Sequence, residues 1–175
     1  MIDKIKISNF TKTLHKVLAF DKAPYDVHRA IELLNGKLEN ADLPENTDAC
    51  IKKELDSFNI YINSTKPILR ERFSIAHELG HLFLHMGYLV DQKKWSEINN
   101  FYDSIFYRAN NNYSIEEYEA NEFAASFLMP SDEFKKIVVE NLRNGKVNIQ
   151  PIAQYFGVSE VAASFRGKFL GIFQW

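Results

Sequence analysis

The residues best suited to chemistry are two histidines one helical turn apart, with a glutamate directly after the first. They stand in the sequence His77-Glu78-Leu79-Gly80-His81. Residues four apart share one face of a helix, so both imidazoles can reach the same metal ion. The carboxylate that follows the first histidine then lies beside that ion, where a general base for hydrolysis belongs. The pattern therefore predicts a zinc site with hydrolytic chemistry.

The residues around this motif predict a buried helix. Apolar side chains recur at helical spacing and form one stripe: Ile75, Leu79, Leu82 and Met86. The remaining face carries Ser74, His77, Glu78, His81 and His85. Several ionisable groups on a buried face are costly unless something compensates them, and a divalent metal is the simplest compensation. The alternative is a core helix whose histidines bond to backbone carbonyls, but it explains neither Glu78 nor the shared face.

Two histidines leave a catalytic zinc site incomplete, because such sites usually have three protein ligands and a water. One zincin class takes a third histidine from a continuation with glycine three residues after the second histidine. Leu84 occupies that position here, which excludes the class. His85 lies one turn further along, but three successive turns of a straight helix wrap around one ion with difficulty. We expect His85 to support a ligand or to bond to a backbone group.

A second predicted helix, which begins after Ser114 and ends at Pro130, offers carboxylates instead. Glu117 and Asn121 are four residues apart, so a carboxylate can bind the metal while the amide steadies a metal-bound histidine. Glu117 also fits a capping box with Ser114, and acidic residues favour the start of any helix. Spacing alone leaves Glu117 and Glu119 nearly equal as candidates for the third ligand.

Residues 70–85 and residues 117–130 together resemble the ImmA/IrrE family of bacterial and phage metallopeptidases. The matching patterns are Arg-x-Arg-Phe-Ser-Ile-Ala-His-Glu-Leu-Gly-His-Leu-Phe-Leu-His and Glu-x-Glu-Ala-Asn-x-Phe-Ala-Ala-x-x-Leu-Met-Pro. Looser matches extend upstream to Pro24 and downstream to Ser159, so the resemblance covers most of the chain. It implies a single zincin-like, gluzincin-type α+β domain over residues 1–175.

The resemblance also implies roles for individual residues. His77, His81 and Glu117 would hold Zn²⁺, Asn121 would support a ligand, and Glu78 would be the general base. Family members typically cut a helix-turn-helix repressor encoded beside them, which derepresses mobile-element or stress genes. The resemblance therefore implies such a repressor as the substrate. The rival function is a metal-binding antitoxin or adaptor, which binds a repressor or toxin without cleaving it.

The spacer between the two motifs, residues 87–113, departs from the family pattern. It is rich in asparagine and aromatic residues, and we expect it to affect substrate specificity rather than the metal site. The group that stabilises the oxyanion has several candidates, namely His85, Tyr102, Tyr107 and Tyr113. The sequence does not choose between them.

The composition is that of an ordinary globular protein of 175 residues, with 46% hydrophobic and 25% charged residues. No long apolar run predicts a transmembrane helix, and the first residues lack a signal-peptide pattern. The one cysteine, Cys50, fits a reducing compartment and a small core position in a strand. We therefore expect a cytoplasmic protein. The net charge of -2 makes nucleic acid and anionic membranes poor partners, and the oligomeric state stays open.

The pattern of the remaining segments predicts a small sheet that precedes the active-site helix and packs on it. The predicted elements are one or two helices in residues 13–35 with a break at Pro24, strands within 37–43 and 48–63, a hairpin turn at Asp56-Ser57, the active-site helix from about Glu71, and a helix from Pro130 to about Leu142. The strand after the hairpin turn alternates imperfectly, as an edge or half-buried strand does.

Residues 143–171 predict a helical C-terminal subregion, with residues 171–175 as a tail. A helix, a tight turn at Gly157 and a capped second helix follow each other, which is also the pattern of a DNA-reading helix-turn-helix. The second helix offers only Arg166 and Lys168 as cations in a slightly acidic chain. We therefore expect a packing module, or a surface that meets the repressor, rather than a DNA-binding element.

Overall fold

Helices surround a small three-stranded sheet in the computed structural model, which describes residues 3–44, 46–63, 65–98 and 114–174. The helices are α1 (Lys4–Val17), α2 (Val27–Leu33), α3 (Ile68–Gly80), α4 (Gln92–Glu97), α5 (Ile115–Leu128), α6 (Ser131–Glu140), α7 (Ile149–Phe156) and α8 (Glu160–Phe169). A π-helical turn, His81–His85, continues α3 without a break. The strands are β1 (Lys37–Asn40), β2 (Ala49–Glu54), β3 (Ser57–Ile62), β4 (Leu142–Arg143) and β5 (Lys146–Val147). The α+β prediction is confirmed.

Strand β3 is the centre of the sheet, parallel to β1 and antiparallel to β2. The edge position that the sequence allowed for it is therefore wrong, whereas its half-burial is correct. Alternate side chains of β3 are buried, namely Phe58, Ile60 and Ile62. The hairpin turn lies at Leu55 and Asp56, one residue earlier than expected, and Leu55 takes a left-handed φ of 53°. Cys50 lies in β2 as expected, but it is only partly buried.

The first helix begins nine residues before the expected position at residue 13. Asp3 caps α1, since its carboxylate accepts a hydrogen bond from the Ile5 amide at 2.9 Å. The expected break near Pro24 is present, and Asp26 caps α2 by accepting from the amides of His28 and Arg29. The sequence pattern does not predict this early start, because lysines in the first turn obscure its apolar period.

Helix α3 lies between the sheet and α5, and its contact with α5 is unusually close. A Cβ atom added to Gly80 would lie 2.9 Å from the Cα of Ala120 and 3.1 Å from the Cβ of Phe123. Real Cβ atoms essentially never come that close to backbone, so only glycine permits this separation of the two helices. The predicted apolar stripe of the helix is fully buried: Ile75, Leu79, Leu82 and Met86. The helix begins at Ile68 rather than at Glu71.

The π-helical turn interrupts the regular period of this helix directly after Gly80. The amide of Met86 donates to the carbonyl of His81 at 2.9 Å, five residues earlier instead of four. Such turns insert one extra residue into a helix and occur frequently at functional sites. The assumption of a straight α-helix through His85 is therefore wrong.

Two helices joined by a turn at Gly157 follow the short hairpin of β4 and β5, with Gly157 in the left-handed region at φ 62° and Ser159 capping α8. Arg166 is buried rather than exposed. Its Nη1 atom lies 3.0 Å from Oε1 of Glu122, and its Nε donates to the carbonyl of Met129 at 3.0 Å. This arginine therefore fastens α8 to α5. No helix in the described part of the chain is both long and apolar enough to cross a lipid bilayer.

Candidate metal centre

The side chains of His77, His81 and Glu117 converge on one point between α3 and α5. The Nε2 atoms of the two histidines are 3.0 Å apart. Oε2 of Glu117 lies 3.4 Å from Nε2 of His77, and its Oε1 lies 3.2 Å from Nε2 of His81. Ligands bound tetrahedrally to zinc at about 2.0–2.1 Å are roughly 3.3 Å from one another. The spacing of these three buried groups therefore fits a shared metal ion.

The position of Glu117 distinguishes it from Glu119. Ser114 accepts a hydrogen bond from the backbone amide of Glu117 at 3.2 Å, which fixes the first turn of α5. The capping contact uses the backbone, so the carboxylate of Glu117 is directed to the histidines. The carboxylate of Glu119 lies instead against His85. Glu117 can therefore take part in the helix cap through its backbone and bind a metal through its side chain. The spacing of Glu117 and Glu119 alone does not choose between them as the third ligand.

Asn121 contacts the first histidine of the motif on its far side. Oδ1 of Asn121 lies 3.0 Å from Nδ1 of His77. An amide oxygen is an acceptor, so this contact places the proton of His77 on Nδ1 and leaves the lone pair on Nε2. That lone pair faces Glu117, as metal binding requires.

Burial and close charges shape the electrostatics of the site. Burial opposes ionisation of Glu117, but in the metal-free site the close imidazoles of His77 and His81 outweigh it and hold the pKa of this carboxyl well below its usual value. Burial, followed by the neighbouring His81, lowers the pKa of His85 to about 4. Glu78, adjacent to His77 on α3, has 0% of its surface exposed. Glu78 and Glu117 are therefore both acidic groups in a largely buried site.

His85 and Glu119 form a further pair beside the second histidine. Nδ1 of His85 lies 3.0 Å from Nδ1 of His81, and Nε2 of His85 lies 3.3 Å from Oε2 of Glu119. The sequence pattern does not join these two residues, since it offers Glu119 only as an alternative metal ligand. The one signal in the sequence is that Glu119, two positions after Glu117, lies on a different side of the same helix.

A groove of about 1070 Å³ opens between the start of α3, the outer face of α5 and α8. Asn121 lines it, so the groove reaches the residue that contacts His77. Large apolar side chains that line the groove are unusually exposed: Ile68, Leu69, Val161, Phe165 and Phe169. The groove is therefore an apolar surface that reaches Asn121, on the Nδ1 side of His77, and its lining does not include the convergent residues themselves.

The spacer is described only as far as residue 98 and again from residue 114. Its described part includes α4, where Nζ of Lys53 donates to the carbonyls of Trp95 and Ile98 and holds the helix against β2. The three tyrosines considered for the oxyanion, Tyr102, Tyr107 and Tyr113, lie outside the described residues.

A helical histidine pair with a carboxylate from a second helix, in an α+β fold, is the arrangement of a metal-dependent hydrolase. The model of the IrrE N-terminal-like domain, that of the M78 peptidases, matches residues 41–168. The chain belongs to this family, and the family predicted from the sequence is confirmed.

One solved structure with a similar fold is a transcriptional regulator from Mycobacterium tuberculosis. It superposes with a TM-score of 0.59 at 16% sequence identity, over 92% of this chain and 46% of the regulator. The chain thus spans about half the length of that protein. At this identity the likeness shows the fold alone. No curated protein sequence matches the chain.

Proposed function

We propose that this chain is a zinc-dependent endopeptidase that cleaves a helix-turn-helix repressor. The observation that supports it most directly is the buried convergence of His77, His81 and Glu117 at separations of 3.0 to 3.4 Å. Two imidazoles and one carboxylate are a ligand set of zinc peptidases, in which a fourth position stays open for water. Membership of a peptidase family supports the same reaction.

Each residue of the site has a distinct task in this proposal. When bound, zinc supplies Lewis-acid chemistry and lowers the pKa of a bound water toward neutrality. His77, His81 and Glu117 hold the ion, and Asn121 keeps the first of them oriented. The carboxylate of Glu78 takes a proton from the attacking water and returns it to the leaving amine. Its burial keeps this proton transfer away from bulk solvent.

A docking surface for part of a polypeptide substrate is supported by the apolar groove that reaches Asn121. A volume of about 1070 Å³ with an apolar lining can take the side chains of an extended or helical segment. The C-terminal helices are a poor surface for DNA, since Arg166 is buried against Glu122. The repressor itself comes from the resemblance to the ImmA/IrrE family, and its identity is part of the proposal.

The deciding experiment is cleavage of the repressor encoded next to this chain. Wild-type protein should cleave it, a chelator should stop the cleavage, and added zinc should restore it. Glu78→Gln should retain zinc but lose at least about 100-fold in turnover, because a general base contributes 10² to 10⁴ in rate. Glu71→Gln is the matched control, since Glu71 lies on the same helix but contacts His28.

The results separate the peptidase from its rival. Normal cleavage by Glu78→Gln would show that the general base is another residue. A stable complex of wild-type protein and repressor, without cleavage at any zinc concentration, would favour the antitoxin or adaptor. An absence of bound zinc in the wild-type protein would contradict both.

A further inference from the structure

The side of His81 that faces away from Glu117 is occupied by a second histidine and a second glutamate. Nδ1 of His81 lies 3.0 Å from Nδ1 of His85, and Nε2 of His85 lies 3.3 Å from Oε2 of Glu119. The side chains of His85 and Glu119 are 10% and 6% exposed. An unbroken chain of polar contacts therefore joins the carboxylate of Glu119 to the imidazole of His81.

The direction of the hydrogen bonds along this chain follows from which atoms can donate. An ionised carboxylate only accepts, so Nε2 of His85 carries a proton and donates it to Glu119. A neutral imidazole has one proton, which leaves a lone pair on Nδ1 of His85. That lone pair accepts the Nδ1–H of His81. The lone pair of His81 is then on Nε2, the atom that lies 3.2 Å from Glu117.

We infer that His85 and Glu119 are positioning residues, which form a relay that fixes the metal-binding tautomer of His81. The inference rests on the proposed function, because it takes His81 as a metal ligand. The other histidine is supported in a simpler way, since Asn121 accepts directly from Nδ1 of His77 at 3.0 Å. One ligand is thus oriented by a single hydrogen bond and the other by two in series.

The opposite proton arrangement shows why Glu119 matters. A proton on Nε2 of His81 would donate to Glu117 and block metal binding at that atom. Nδ1 of His81 would then accept from His85, whose one proton would be used there. Nε2 of a neutral His85 would face the Glu119 carboxylate with its lone pair, and two acceptors repel at 3.3 Å. The carboxylate therefore disfavours the blocked form of His81.

The first test measures the affinity of the full chain for zinc by competition with a chelator. Glu119→Leu should weaken zinc binding by about 10- to 100-fold, the usual cost of removing an outer partner of a metal-bound histidine. Glu122→Gln is the matched control, because Glu122 is a similarly buried glutamate on α5 that contacts Arg166. It should lower the melting temperature and leave zinc affinity unchanged. Equal zinc affinity in Glu119→Leu and wild type would overturn the relay.

A second pair of variants tests whether Glu119 acts through His85. In His85→Asn, the amide oxygen can take the place of Nδ1 and accept from His81 without any help from Glu119, as Asn121 does for His77. His85→Asn should therefore bind zinc nearly as tightly as wild type. In that background Glu119→Leu should cost less than about 3-fold, because its effect is coupled to His85. The same loss in both backgrounds would refute the relay.

Nitrogen NMR of the zinc-loaded protein reads the proton positions directly. Histidine side-chain ¹⁵N shifts should show His85 neutral with its proton on Nε2, and His81 with its proton on Nδ1. A His85 that carries its proton on Nδ1, or protons on both nitrogens, would contradict the proposed direction. If wild-type protein binds no zinc, the proposed function fails and the relay with it. If zinc binds but His85 is in another form, only the relay fails.

Discussion

Helix α5 has three buried glutamates, and two of them, Glu117 and Glu122, have partners that differ in kind. Both residues are 9% exposed. Glu122 meets the guanidinium of Arg166 at 3.0 Å, and the same guanidinium donates to Ser126 and to the carbonyl of Met129. Its charge is neutralised by a cation of the chain itself, within a network that the protein completes.

Glu117 faces two imidazoles whose Nδ1 atoms already contact other side chains. The Nε2 atoms of its partners, His77 and His81, are directed to the same point as its carboxylate oxygens. An arrangement in which acceptors converge is unfavourable unless a cation lies between them. The comparison teaches that burial of charge alone does not indicate a site. The convergence of imidazole nitrogens and carboxylate oxygens on one point distinguishes the candidate metal centre from the structural ion pair.

The largest expected effect is that of removing the carboxylate from the convergent cluster. Glu117→Ala should lose zinc so completely that the metal no longer copurifies, because losing a ligand costs more than the 10- to 100-fold of an outer partner. Addition of zinc should then no longer raise the melting temperature, since that increase reflects binding free energy. Metal analysis and thermal unfolding with and without zinc measure both. Full zinc retention would move the third ligand to Glu119 or His85.

The complementary change is made in the ion pair. Arg166→Ala should lower the free energy of unfolding by about 3–5 kcal/mol, because it leaves the Glu122 carboxylate buried without its cation. The double variant Arg166→Met, Glu122→Leu should be more stable than Arg166→Ala, since no buried charge remains. Urea unfolding measures the stabilities. Zinc affinity should be unchanged in each folded variant, and a large loss of affinity would show that the two clusters are not independent.

The close approach of α3 and α5 sets the distance between the histidines and Glu117. Gly80→Ala should destabilise the protein by roughly 1–3 kcal/mol, because the added methyl group meets the backbone of Ala120. It should also weaken zinc binding, as the two helices must separate. Unchanged stability in Gly80→Ala would mean that the helices do not hold this separation.

The smallest expected effect is a pH dependence of the free energy of unfolding, and it comes from His15, which lies outside both clusters. His15 stacks on Tyr25 with ring centroids 4.0 Å apart, and burial lowers its pKa to about 4. Unfolded His15 titrates near 6.5, so the unfolded state binds more protons between pH 6.5 and 4. Stability should therefore fall, by at most about 2 kcal/mol, as the pH decreases from 7.5 to 5.

The substitution His15→Phe tests this assignment by removing the titrating group. Urea unfolding of the metal-free protein at several pH values should show a smaller acid loss in His15→Phe than in wild type. A residual slope is expected from His85, whose pKa is lowered in the same direction. Identical slopes in the two proteins would assign the acid sensitivity elsewhere.

Residue types and spacing predict much of this molecule where the relevant contacts are local. The four-residue spacing of His77 and His81 predicts a shared face, and the structure places their Nε2 atoms 3.0 Å apart. The limits of α5 follow from a serine cap and a proline, both of which act within one turn. The choice between Glu117 and Glu119 is not local, because it depends on how α5 is rotated against α3. The pairing of Glu119 with His85 needed the structure for the same reason.

The central position of β3 in the sheet could also not be predicted from the local sequence pattern. Its three partly exposed positions resemble those of an edge strand, but a parallel β1 pairs with it from the other side. Parallel pairing joins segments that are distant in sequence and leaves little trace in either strand. The role of Arg166 illustrates the same limit: a cation on a predicted helix gives no sign that its partner is a glutamate 44 residues away.

The π-helical turn at His81–His85 has a consequence for how related sequences are aligned. An i to i+5 hydrogen bond changes the phase of a helix by one residue, so positions after it do not follow the period of positions before it. A spacing rule carried through this turn at 3.6 residues per turn assigns later side chains to the wrong face. Across this segment, hydrogen-bonded residues are five apart instead of four. A deletion of one residue here should therefore restore an ordinary α-helix rather than break the helix.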